Sequence, residues 1–221
     1  MRCAQPWPWR LNLSGSGRGG VATGYRYSLP FLEGLFGSEA GEPGGAALEI
    51  CNGRATCGAT FVAPLYEQLF WAPDASLSFV GLQWKTVPFP LVTAQASLVA
   101  AVLSGAVELP PPSERRAAVD ADLQAMREAG VLDLHMMADK QWGYMRRLLD
   151  AAAAASPVPR SEYVPRLRLC QLLNEDSARR RKAAPATYRQ AEYEVVHDAS
   201  HPDGGWFRVA HATHPSDSRV P

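Results

Sequence analysis

Four small groups of residues have the types and spacing to do chemistry. Gly15-x-Gly17-x-x-Gly20 has the form of a dinucleotide fingerprint. That form works where a strand ends in the first glycine and a helix then aims its N-terminus at a pyrophosphate. Here Trp9–Leu13 makes a poor strand, and Thr23-Gly24 stands where the helix should run, so the stretch reads as a Gly-rich linker. His197 and His201, with His211 and His214, stand at metal-ligand spacings. The first pair needs a helix to converge, yet Pro202-Asp203-Gly204-Gly205 follows at once, so the reading is a solvated tail. Cys51 and Cys57 flank Asn52-Gly53; a hairpin would bring them together and leaves one disulfide open to them, but the reading taken is free thiols. Gln95 sits on the apolar stripe Leu91, Leu98, Val102. A buried amide needs partners, either neighbouring backbone or a polar cofactor.

These groups must be positioned by elements, and the chain divides in two. Residues 1–110 carry 6 basic and 7 acidic residues; residues 111–221 carry 16 and 15. The first half is therefore apolar and rich in Gly and Pro, and the second is helical in character. Asn52-Gly53 supplies the positive-φ pair of a tight turn, which predicts a β-hairpin over 46–62. Leu77–Leu82 predicts a buried strand, and 91–104 an apolar helix that Gly105 closes after the stop Pro88-Phe89-Pro90. Ser113 is expected to cap a second helix ending at Gly130. A third is expected from Met137 to Ala155 and a fourth around Leu167–Leu173. The domain reading is an unmatched leader over 1–20, a mixed region over 21–110, a helical region over 111–195 and a tail over 196–221.

Zero formal net charge, 22 basic against 22 acidic residues, gives no global electrostatic reason to bind nucleic acid. The run Arg179–Lys182 reads as a solvated helix face or a partner contact rather than a nucleic-acid site. No apolar run approaches the roughly 18–20 residues of a membrane span. With no apolar signal segment, the expected compartment is the cytoplasm.

A series of blocks carries a family resemblance. Val21-Ala22-Thr23-Gly24-Tyr25-x-Tyr27-Ser28-x-Pro30-Phe31-Leu32 is followed by Pro64-Leu65-Tyr66 through Phe70 and by Leu77-Ser78-Phe79-Val80-Gly81-Leu82. Next come Trp84-Lys85-x-x-Pro88-Phe89-Pro90-Leu91-x-x-x-Gln95, Val102–Gly105 and Leu109-Pro110. His135-x-Met137-Ala138-Asp139-x-Gln141-x-x-Tyr144 and Arg181-Lys182-x-x-Pro185-x-Thr187-Tyr188-Arg189 close the series. In this order the blocks resemble flavin-containing monooxygenases, in particular the plant-type S-oxygenating branch related to glucosinolate S-oxygenases.

The resemblance implies an α/β fold, the C-terminal part of a flavoprotein with two Rossmann-like domains, one for FAD and one for NADPH. It also implies NADPH- and O2-dependent transfer of one oxygen to a soft sulfur or nitrogen of a small molecule, through a flavin C4a-hydroperoxide. Thr23 and Gly24 would lie where the chain re-enters the FAD domain, Gly81 would end a FAD-domain strand, and Gln95 would be the side chain nearest the flavin or nicotinamide. The family's FAD and NADP fingerprints, which precede the first of these blocks, have no counterpart here. Thr93-Ala94 replaces the acid often found just before the helix glutamine. The expectation is therefore a C-terminal portion, inactive and without stoichiometric FAD on its own. The alternative is a non-enzymatic interaction module that docks through its helical half, and oligomerisation stays open.

Overall fold

A computed structural model describes residues 27–32, 48–53, 59–153, 158–196 and 206–208. Thr23, Gly24, the 15–20 glycine stretch and the four tail histidines lie outside the described residues. Among the described residues the fold is mixed α/β, with helices dominating three small two-stranded antiparallel sheets. The strands are β1 (Glu49–Gly53), β2 (Ala59–Ala63), β3 (Leu65–Tyr66), β4 (Phe70–Trp71), β5 (Glu194–Val196) and β6 (Trp206–Arg208). The helices are α1 (Pro88–Leu103), α2 (Pro112–Glu128), α3 (Gln141–Ala152) and α4 (Arg160–Ala183). No described helix is long and apolar enough to cross a membrane.

The hairpin forms, but its turn is not at Asn52-Gly53. Both residues lie in the β1–β2 ladder, opposite Thr60 and Ala59. The Asn52 side chain has another use: its Oδ1 accepts the Tyr27 N–H at 2.8 Å and its Nδ2 donates to the Tyr27 carbonyl at 2.9 Å. Asn52 thereby pins a distant extended segment to the sheet. Cys51, buried in the same strand, is disulfide-bonded rather than a free thiol, and its partner cysteine lies outside the described residues. Cys170 is free.

The strand expected over Leu77–Leu82 is not formed. The segment touches the sheet only briefly, through Trp71 N–H to Leu77 O at 2.9 Å and Phe79 N–H to Leu69 O at 2.7 Å. Gly81 then turns the chain away at φ +84°. An apolar run reads as strand only where both sides find partners, and this one has a partner on a single short side.

The helix expected over 91–104 begins three residues early. Pro88 and Pro90 fall in its first turn, where a missing N–H costs nothing, so the two prolines start the helix rather than block it. Its C-terminus closes through Gly105, at φ +75°, with Gly105 N–H to Val102 O and Ala106 N–H to Ala101 O, the paired bonds of a Schellman cap. In α2 the same logic displaces the expected cap. Pro112 takes the first helical position, and Ser113 lies inside the helix. The expected third helix is a 3-10 turn (Ala138–Lys140) leading into α3, and the expected fourth, around Leu167–Leu173, is the middle of the longer α4.

The main core forms where α1 crosses α3. Leu91, Ala94, Leu98 and Ala101 pack on Tyr144, Met145, Leu148 and Ala152, with Leu69 and Phe70 beneath. A second core joins β1–β2 to α2 through Phe61, Ala63, Val119, Leu123 and Met126. Val62 points the other way, toward Leu32, Leu65 and Phe79, as strand alternation requires. Arg115 locks α2 to the loop before it. The buried guanidinium donates to the carbonyls of Ala72, Pro73 and Pro110.

Candidate functional site

Gly81 and Gln95, named separately from the sequence, meet in space. The Gly81 N–H donates to Gln95 Oε1 at 2.9 Å. Gln95 is 0% exposed, and its amide hydrogens go to Gln83 Oε1 at 2.7 Å and to the Tyr144 hydroxyl at 3.1 Å. Both donors of the amide and one lone pair are thus used inside the protein. Gln95 therefore makes its polar contacts with a turn, a second glutamine and a tyrosine of α3.

The network continues. Tyr144 donates to the Glu67 carbonyl at 2.8 Å, and Gln83 Nε2 donates to the Gln68 carbonyl at 2.7 Å. Glu67 and Gln68 form the tight β3–β4 turn, and both have φ +51°. Non-glycine residues pay roughly 1–2 kcal/mol each for that left-handed conformation. Capture of both turn carbonyls by buried donors offsets this cost.

His135 closes the far end. Residues 132–137 run between β2 and Trp84, with Thr60 N–H to Leu132 O, Leu134 N–H to Thr60 O, Trp84 N–H to His135 O and Met137 N–H to Trp84 O. This carries His135 into the core at 0% exposure. Its Nε2 accepts the Val62 N–H at 3.0 Å, which leaves Nδ1 to carry the proton toward Gln68 Oε1 at 3.3 Å. Burial pulls the imidazole down to about 4, so it is neutral near pH 7. Burial also pushes the Tyr144 phenol well above its ordinary value, keeping it a donor.

Sequence reasoning found two members of this network and missed the others as members. Tyr144 shares the buried stripe of α3 with Gln141, Met145 and Leu148, a pattern that marks burial but not its polar partners, and His135 lies in a loop with no periodic signal. Glu67 and Gln68 look like an ordinary polar turn, and only the Asn-Gly they lack would have announced it.

Around the Gly81 turn the surface is apolar. Val80, Trp84, Phe89 and Val92 are exposed, Phe89 at 84% and Trp84 at 48%. Trp84 is held by its indole N–H, which donates to Asp133 Oδ2 at 2.8 Å. The α1 N-terminus is anchored by Val87 N–H to Gln141 Oε1 at 2.6 Å. A Cβ built on Gly81 would meet only Val92 Cγ2 at 3.9 Å, so backbone angle and not space demands glycine. Gly81→Ala is expected to cost about 1–2 kcal/mol in chemical denaturation, the penalty of an L-residue at that φ. An unchanged midpoint would show that the turn relaxes freely.

Among the described residues no cluster of His, Cys, Asp or Glu is arranged to hold a metal. The exposed apolar and aromatic residues near Gly81 lie by the N-terminus of α1, where the positive end of the helix dipole favours negative charge.

No family model matches the chain. Individual relatives do. Flavin-containing monooxygenase FMO GS-OX-like 2 of Arabidopsis thaliana is 35% identical over 134 residues, 58% of this chain and 25% of that protein. FMO GS-OX-like 4 of the same plant is 33% identical over 125 residues, 55% of this chain and 24% of its own length. Flavin-containing monooxygenase ustF2 of Aspergillus flavus is 32% identical over 130 residues, 58% of this chain and 25% of its own. Among solved structures, S-allyl-L-cysteine S-oxygenase from Allium sativum matches with a TM-score of 0.56 at 30% identity, over 76% of this chain and 33% of that one. The chain spans about a quarter of the length of the curated relatives it matches. Sequence and fold agree that this chain is a partial match to the flavin-containing monooxygenase family.

Proposed function

We propose that the chain supplies one wall of the flavin site of an FAD- and NADPH-dependent monooxygenase that oxygenates a nucleophilic sulfur or nitrogen on a small molecule. The observation that carries this is the Gly81–Gln95 hydrogen bond, which ties the turn before α1 to the middle of that helix, beside exposed apolar residues. When bound, FAD reduced by NADPH supplies the activation of O2 that the protein's own groups do not offer.

The chain's residues do the positioning. Gln95 fixes the Gly81 turn from below and acts on the site through that backbone. Trp84, Phe89 and Val92 would lie against the flat ring and exclude water from it. The N-terminal turn of α1, held by Gln141, would favour negative charge on the reduced ring. Thr23 and Gly24 enter this reading through the sequence resemblance alone. The S-oxygenating relatives favour sulfur as the acceptor.

The sequence offers no strand–glycine–helix fingerprint to cradle a dinucleotide pyrophosphate. The 221-residue chain is therefore expected to purify colourless, and to lose added FAD on gel filtration as read by absorbance near the flavin bands. A yellow chain that oxidises NADPH would mean that it holds both cofactors unaided, and the single-wall reading would fail.

A further inference from the structure

α3 and α4 face one another across a cleft of about 390 Å3, within the roughly 300–1,000 Å3 range of small-molecule sites. None of the Gly81–Gln95 network lines it, and its reading does not depend on the flavin proposal. One wall presents Asp139 of the preceding 3-10 turn and Trp142, Gly143 and Arg146 of α3, the last three neighbours on one helix face. The other presents Leu167 and Arg168. Trp142 and Leu167 are half-buried against the α1–α3 core and give the cleft an apolar floor.

Two features are left over by the fold. The first is Arg168. On α4, Arg166 pairs with Glu162, and Arg179 and Arg180 pair with Asp176. Arg168 has no such partner among the described residues. Across the cleft, Arg146 reaches Asp150 only at 3.8 Å and is half exposed. The second is Gly143. Glycine weakens a helix relative to alanine, yet a Cβ there would meet nothing within 4 Å, so packing does not require it. The bare backbone keeps the cleft wide at its middle.

Arg146 is engaged with Asp150, which leaves Arg168 as the lining guanidinium without an ion-pair partner among the described residues. A single uncommitted guanidinium suits a monoanion better than a phosphate dianion. A guanidinium's planar fork matches a carboxylate, and an indole offers a flat apolar face. We propose that the α3–α4 cleft binds a small organic monocarboxylate, its charge held by Arg168 and its apolar or aromatic body laid on Trp142.

Calorimetric titration of the full chain at neutral pH with 4-phenylbutyrate, 4-phenylbutyramide and phenyl phosphate tests this. The carboxylate should bind about tenfold or more tightly than the neutral amide, as a charge-assisted contact implies. Phenyl phosphate should bind no more tightly than the carboxylate. Arg168→Gln should remove the preference for the acid, and Gly143→Leu should remove binding of both while helical circular dichroism is retained. No binding of the acid at millimolar concentration, equal binding of acid and amide, an Arg168→Gln variant that binds as before, or tighter binding of the dianion would each overturn the assignment.

Discussion

Gln95→Leu is expected to remove about 2–5 kcal/mol of folding stability, from two or three buried polar groups left without partners. Leucine nearly fills the volume of glutamine, so the loss does not come from a cavity. The Gly81 N–H loses its acceptor, Gln83 Oε1 loses its donor, and Tyr144 keeps only the Glu67 carbonyl. A small domain holds only about 5–15 kcal/mol in total, so much of the margin goes. Tyr144→Phe should cost less, since Gln95 retains two of its three contacts. Urea unfolding followed by circular dichroism measures both. A Gln95→Leu chain within 1 kcal/mol of the parent would show that water replaces the amide, and the network would not be holding the turn.

Acidification provides the second large effect. Burial holds the His135 imidazole at about 4, below its ordinary 6.5. The unfolded chain takes up the proton as pH falls through about 6.5, while the folded chain resists until about 4. Stability therefore declines across that window and flattens below it for this group. The span corresponds to about 3 kcal/mol. Asp74 and Asp176, both held below the ordinary carboxylate value, lose their contributions at lower pH still. His135→Gln isolates the imidazole: the variant should start less stable at pH 7 and lose much less between pH 7 and 4. Parallel pH profiles for variant and parent would place the acid sensitivity elsewhere.

The residues that announce elements locally were legible. The α1 stripe Leu91, Ala94, Leu98 is read by its period, and Gly105 by its place at the end of that stripe. What failed was anything settled by partners far along the chain. Asn52-Gly53 has the chemistry of a turn, but Tyr27 claims the Asn52 amide and the ladder runs on through both residues. Leu77–Leu82 has the composition of a buried strand, but it has only a brief neighbour and a glycine that turns it aside. Pro88 and Pro90 stop a helix in its interior and start one at its end, and composition does not separate these cases. Of the site, Gln95 was marked by its place on the apolar stripe of α1 and Gly81 by the family pattern. The partners that give them a common purpose, Gln83, Tyr144, Gln68 and His135, are joined only by the packing of α1 on α3 and by the crossing of residues 132–137.

The proposed flavin wall of the Gly81–Gln95 unit and the α1 N-terminus can be tested by transplanting it. A direct measurement grafts residues 59–153 in place of the corresponding segment of the garlic S-allyl-L-cysteine S-oxygenase. Bound flavin is then read by absorbance, alongside NADPH-dependent sulfoxide formation. The expected result is a yellow graft that forms sulfoxide, and a folded but colourless graft when Gly81→Val is added. A folded graft that is colourless without that change, or that keeps its flavin with it, would contradict a flavin-wall role for these residues.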